Sequence, residues 1–170
     1  MLDPTRLTDP EYRVRLQARG FLLPLALSVD EFCKDAEKYT LFEHEREVLG
    51  YMLVDDCQEL STEMDVVWLQ RSSQEQYLAK PHADIRGIGV SPEAGRRGVA
   101  TKLLHATEDR ARARDISHLF SFVVISPVTN VPSVLFHEKN GFDRWTVLEP
   151  CSLFGIDDYQ SILYAKSLSS

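Results

Sequence analysis

Val90-Ser91-Pro92-Glu93-Ala94-Gly95-Arg96-Arg97-Gly98-Val99-Ala100 is the stretch on which the reading of this chain turns. Ahead of it, Asp84 to Val90 is strand-like. Behind it, Val99, Leu103, Ala106 and Arg110, with Leu104, Thr107 and Ala111 beside them, keep helical spacing to about Arg114. A glycine-bearing turn between a strand and a long helix leaves the first helical amides unpaired and pointing outward, and small residues let an anion come close. A diphosphate is the expected ligand. Two other phosphate motifs are missing, since there is no G-x-x-x-x-G-K-[ST] and the glycine spacing is not G-x-G-x-x-G.

Working outward, Leu119 to Ile125 reads as an apolar strand and Pro132 to Lys139 as a helix that ends at Asn140-Gly141. Trp145 to Leu148 and Ser161 to Lys166 read as closing strands. On the other side, Tyr39 to Glu43 and Glu47 to Val54 form a hairpin pattern whose turn lacks glycine. Ser28 and Glu31 make a capping box for a helix to about Lys38, and Phe21-Leu22-Leu23 reads as a strand. Tyr12 to Leu16 fits a short helix behind Asp9-Pro10 or a strand equally well. Asp55 to His82 is a long polar stretch around one apolar island, Val66 to Leu69. Strands with helices inserted at intervals point to a mixed α/β or α+β sheet.

Composition sets the limits around this pattern. At 170 residues, 44% apolar and 26% charged, the chain is expected to be one globular domain over residues 1–170. Its formal net charge of −7 has the wrong sign for neutralising a phosphate backbone, so nucleic acid is not the expected partner. Cys33, Cys57 and Cys151 are an odd number without C-x-x-C spacing, which suggests neither a disulfide framework nor a cysteine-based metal site and fits a reducing cytoplasm. The longest apolar run, Phe21 to Leu27, is too short for a bilayer, and no membrane association is expected.

A second block sharpens the reading. Asn130-Val131-Pro132-Ser133-Val134-Leu135-Phe136-His137-Glu138-Lys139-Asn140-Gly141-Phe142 resembles the N-x-x-A/S-x-x-L/F-Y/H-E-K-x-G-F segment of the GNAT acetyltransferases. The turn from Gly95 to Ala100 resembles the same family's Q/R-x-x-G-x-G/A signature, with Gly95 at the leading position and Arg96 taking its part. The two blocks stand in the family's order, about 30 residues apart. The resemblance implies a GNAT fold, with a mixed, mostly antiparallel central sheet flanked by helices. Its fourth and fifth strands, here Asp84 to Val90 and Leu119 to Ile125, are expected to splay around the pantetheine arm.

The resemblance also implies roles. Acetyl-CoA is the expected cosubstrate, with no metal. Its partners would be Ile88 and Val90 on the strand, Gly95, Arg96, Arg97, Gly98, Val99 and Ala100 in the turn, and Asn130 and Ser133 in the second block. Asn130 contacts pantetheine in that family and is also suited to cap the helix. An amine acceptor with pKa near 10.4 is about one part in a few thousand neutral at pH 7, a deficit of roughly 4 to 5 kcal/mol, so a base helps. Asp84 matches a position where some members carry a glutamate; as a strand-start residue it reads equally well as solvated. His82 is a reserve base. An amide at Gly89 or Val90 would stabilise the thioester oxygen. His137 stands where most members place the tyrosine that protonates the sulfur.

Other features have simpler readings. Cys151 is expected to be buried and inert, and Arg110, Arg112 and Arg114 to be a solvated helix face. The expected activity is acetyl transfer to a small primary amine by direct attack on the thioester. The alternatives are a protein or peptide acceptor, and a catalytically silent acyl-CoA-binding or regulatory module. An interaction surface at Val66 to Leu69 and a homodimer stay open. The segment Asp55 to His82 is expected to border the acceptor.

Overall fold

The computed structural model describes residues 1–22, 29–55, 81–94, 97–153 and 155–168. Helices α1 (Pro10–Arg19) and α2 (Val29–Lys34) precede the hairpin of β1 (Tyr39–His44) and β2 (Glu47–Asp55). Then come β3 (His82–Val90), helix α3 (Val99–Arg112), β4 (His118–Ser126), helix α4 (Val131–Lys139), and β5 (Asp143–Val147), β6 (Cys151–Leu153) and β7 (Ile156–Ser167). The strands form one sheet in the order β1-β2-β3-β4-β7-β5, with β6 paired to β7. Among the described strands only β3 and β4 pair in parallel.

The open reading at Tyr12 to Leu16 resolves as helix. Asp9 caps it, its carboxylate accepting from the amides of Glu11 (2.9 Å) and Tyr12 (3.3 Å), and Pro10 supplies a preset φ at the first position. Tyr12 and Leu16, four apart, turn inward while Val14 between them is 66% exposed, so the strand-like alternation was accidental. Phe21 and Leu22 are not in a strand. Leu23 and the Ser28 end of the capping box lie outside the described residues; α2 stops at Lys34 and a 3-10 turn, Ala36–Lys38, follows.

The sheet has two unlike faces. Helices α3 and α4 cover one, where Val99, Leu103, Leu104 and Ala111 pack with Met52, Val54, Ile85 and Tyr164. Gly50 permits this closeness, because a Cβ there would lie 2.9 Å from Val99 Cγ1 and 3.2 Å from Leu103 Cδ1. Lys166 ties the two helices together, donating to Glu108 on α3 and to the Asn140 carbonyl at the end of α4. The opposite face carries Tyr12 and Leu16 of α1 against Val124, Val128, Ile156 and Tyr159, with Phe120, Phe122 and Leu163 beside them. Two readings need correction. Arg110 is not merely solvated, since its guanidinium donates to the carbonyls of Glu37 (3.1 Å) and Tyr39 (3.4 Å) and fastens α3 to the start of β1. Cys151 is half-buried rather than buried.

Candidate active site

Strands β3 and β4 are hydrogen-bonded only from His82↔His118 to Ile85↔Ser121. Beyond that point they part, so Arg86 to Val90 and Phe122 to Ser126 face a gap, which is the expected splay. A bulge shapes its β3 wall. Leu53 pairs with Gly87 and Val54 with Ile85, leaving Arg86 as the extra residue. The bulge resets the alternation, so that Ala83 and Ile85 before it and Ile88 and Val90 after it all pack on the α3 and α4 side.

The bulge and pairing also sort the amides. Ser91 donates to the Leu49 carbonyl (2.8 Å), and in an antiparallel ladder alternate residues turn their N–H toward the partner. Gly89 therefore points its amide at β2, whereas Val90 and Ile88 point theirs into the gap. Of the two amides the sequence offered, Gly89 and Val90, it is Val90's that faces the gap. Gly89 has a different job: the ring of its cross-strand partner Tyr51 lies on it, and a Cβ there would fall 2.3 Å from Tyr51 Cε1. That covering tyrosine escaped the sequence reading, for which Tyr51↔Gly89 pairing was the needed signal.

At the mouth of the gap stands the start of α3. Gly98 is its N-cap at φ +73°, with no side-chain capping bond, and among the described residues nothing lies within 4 Å of where its Cβ would be. Arg97 and Gly98 are exposed, while the Val99 side chain is buried in the core and offers only its backbone amide. Ala100 continues the first turn. Gly95 and Arg96 lie outside the described residues.

Asn130 caps α4, its Oδ1 accepting from the Ser133 amide (3.4 Å) and its Nδ2 donating to the Phe21 carbonyl (2.9 Å). Both ends of this side chain are thus engaged in structure. Ser133 holds the residue one turn on: its carbonyl accepts from His137 Nδ1 at 2.7 Å. That bond puts the ring proton on Nδ1 and leaves the lone pair on Nε2. His137 is 1% exposed and Nε2 has no hydrogen-bond partner among the described residues. The ring stacks on Tyr164 at 5.2 Å and meets Phe136 and Phe142 edge-on. Burial among these uncharged rings pulls its pKa down to about 4, against which the Ser133 carbonyl is a smaller, opposing influence, so the imidazole is neutral at pH 7. Tyr164 pairs with Ser121, itself paired with Ile85 where the gap begins. His137 therefore sits at the vertex, on the α3 and α4 side.

Asp84 lies at the same vertex on the other face. It is 1% exposed, so it is not the solvated strand-start residue of one reading, and its cross-strand neighbours are Asp55 and Phe120. Asp55 is in turn bridged to Lys38 (3.1 Å) and Arg86 (3.8 Å). His82 is not a loop histidine either; it opens β3, buried against the edge of Phe120. The insertion 56–80, with the Val66 to Leu69 island, lies outside the described residues. Among those described, no cluster of three or more His, Cys, Asp or Glu is placed to hold a metal, and no helix is long and apolar enough to cross a membrane.

The sequence matches the model of the GNAT acetyltransferase family over residues 5–142. No curated protein matches the chain in sequence. Solved structures do match in fold. A ribosomal-protein-alanine N-acetyltransferase from Brucella melitensis superposes with TM-score 0.63 at 13% identity, covering 98% of this chain and 96% of that one. An N-acetyltransferase from Staphylococcus aureus Mu50 gives 0.61 at 16%, covering 99% and 96%. A GNAT acetyltransferase from Elizabethkingia anophelis, solved with acetyl-CoA bound, gives 0.54 at 14%, covering 88% and 93%. With a parted sheet, a glycine-capped helix at its mouth and a family match over most of its length, this chain belongs to the GNAT acetyltransferases and is a transferase.

Proposed function

We propose that the protein transfers the acetyl group of acetyl-CoA to a small primary amine by direct attack on the thioester. The observation that carries this reading is the gap between β3 and β4, with unpaired strand amides along one wall and titratable side chains on opposite faces of its vertex. Acetyl-CoA supplies the activated acyl group. Its diphosphate is assigned to the amides of Gly98 to Ala100 with the side chain of Arg97, and by family pattern to Arg96 also, the Arg97 amide being engaged with the Ala94 carbonyl (3.3 Å). The arm lies along Ile88 and Val90. Of these, the Val90 amide is assigned the charge that develops on the carbonyl oxygen, a contribution typically of about 3 kcal/mol. Asn130 and Ser133 act by holding α4 and the His137 ring.

Proton handling divides by face. The amine enters on the Asp84 side and is deprotonated there by the carboxylate or through water. The sulfur leaves on the His137 side. Because His137 is neutral with its only ring proton held by Ser133, it does not start as an acid; Nε2 first accepts a proton released at the reacting centre and then returns it to the thiolate. An odd number of cysteines without C-x-x-C spacing supports a reducing cytoplasm as its compartment on this reading. A protein N-terminus is the second acceptor class, favoured by the activity in the Brucella neighbour's name.

The test is release of free thiol from acetyl-CoA against a panel of amines, in the parent, Gly98→Ala and Gly98→Asp. Both variants bear the same backbone strain, and no described residue crowds the position of the Gly98 Cβ, so the carboxylate is the difference between them. Amine-dependent release is expected, with the acetyl-CoA KM raised at least tenfold more by Asp than by Ala. No thiol release with any amine of the panel would leave the silent binding module, and equal KM values for the two variants would move the diphosphate away from this turn.

A further inference from the structure

The bulge in β3 does more than reset the alternation. Arg86, the residue it inserts, is exposed, and a bulge beside a catalytic centre commonly re-aims a side chain. Its Nε lies 3.8 Å from Asp55 Oδ2, too long for a hydrogen bond, whereas Lys38 stands 3.1 Å from the same carboxylate. Lys38 is therefore the better partner of Asp55, and the Arg86 side chain stays 33% exposed. Two observations place its charge. Asp55 shares with Leu53, Tyr51 and Asp84 the sheet face turned away from α3 and α4, so the guanidinium is on the Asp84 side. Across the gap on β7, burial pushes the Tyr159 phenol up while Arg86, a smaller influence, pulls it down. The cation thus stands between β2 and β7, over the gap. Beside it the surface is flat, because Gly87 and Gly89 carry no side chain on this face and the Tyr51 ring reaches across both.

We propose that Arg86 selects the acceptor by binding its carboxylate, so that the substrate is an amino acid with an apolar side chain rather than a plain alkylamine or a peptide N-terminus. This rests on the acetyl-transfer reading and names its substrate class. A guanidinium offers a planar fork that a carboxylate meets with two parallel hydrogen bonds, a geometry that the point charge of lysine does not reproduce. The amine of an α-amino acid is two bonds from its carboxyl carbon. A carboxylate held by Arg86 therefore keeps the nitrogen on the face of Asp84, where the proton is to be removed, and the apolar side chain rests on the Tyr51 ring.

The experiment has two arms. Leucine, leucinamide and isoamylamine share a side chain, and only leucine carries a carboxylate. In Arg86→Gln the ratio of kcat/KM for leucine to that for isoamylamine is expected to fall at least tenfold from its value in the parent, a comparison in which the different pKa values of the amines cancel. Arg86→Lys, which keeps the charge beside Asp55 but not the fork, is expected to recover part of the ratio, and leucinamide to follow isoamylamine in every variant. In the second arm calorimetry with CoA present is expected to show leucine binding to Arg86→Gln at least tenfold more weakly than to the parent. Leucine binding that depends on Arg86, in a parent that acetylates none of the three, would keep the carboxylate site and overturn the transfer reading. Acetylation with an unchanged ratio in Arg86→Gln would keep the transfer and overturn the role of Arg86, and a parent that does not bind leucine would overturn that role whatever the first arm shows.

Discussion

His137 shows how one side chain's surroundings set its chemistry. A histidine on an exposed helix would be partly protonated near pH 6.5, but this one is enclosed by Phe136, Phe142 and Tyr164 and bonded through Nδ1 to its own helix. With its pKa near 4, an enzyme that uses it should have no descending limb in its pH profile between pH 6 and 8. Activity should instead climb with pH as the amine acceptor loses its proton. His137→Phe, which keeps a ring of similar size, should lower kcat roughly ten- to a hundredfold with acetyl-CoA KM little changed. An unchanged kcat, measured where chemistry limits turnover, would leave His137 as packing only. The candidate position of this residue was legible from the N-x-x-S-x-x-F-H-E-K-N-G-F pattern; its protonation state was not, because that depends on Phe142 and Tyr164, which only the fold brings to it.

Among the elements, the β1–β2 hairpin was read correctly despite its unpromising turn, and the structure explains the tension. Glu45 and Arg46 both adopt positive φ, 51° and 70°, the pair of left-handed conformations that a tight hairpin favours and that Asn-Gly meets with least strain. Glu45→Asn with Arg46→Gly should therefore stabilise the fold by about 1 kcal/mol, read as a higher urea midpoint at constant slope. A lower midpoint would mean that the side chains at the turn contribute more than the backbone loses. Long periodic elements such as α3 were legible to within two residues at each end. The short β6 was missed because three residues carry no period, and Arg110 was misread because its partners, the carbonyls of Glu37 and Tyr39, are distant in sequence. That Val90 and not Gly89 turns its amide to the gap was hidden for the same reason, for amide direction follows from strand register.

At the scale of the whole molecule, the buried neutral imidazole couples folding to pH. Unfolding frees His137 to bind a proton at its ordinary pKa of 6.5, which the folded state resists until about pH 4. Its folded pKa is lowered, so the associated stability is complete above pH 6.5 and is lost as pH falls toward 4. Between pH 7.5 and 5 this single group should cost about 2 kcal/mol. His137→Phe should show a correspondingly smaller acid loss in urea unfolding; equal losses in parent and variant would place the acid sensitivity elsewhere.

The parted strands also act as a ruler. From Ser121, where pairing ends, β4 runs on to Ser126, and five residues of strand at about 3.3 Å each give a slot roughly 16 Å deep. On the proposed reading its closed end holds the reacting centre and its open end the amides of α3, so reactivity and carrier identity would be checked at two separate stations along one line. An acyl donor too short to span them, such as a thioester of cysteamine, can still reach the vertex, but it forgoes everything that the far station has to offer.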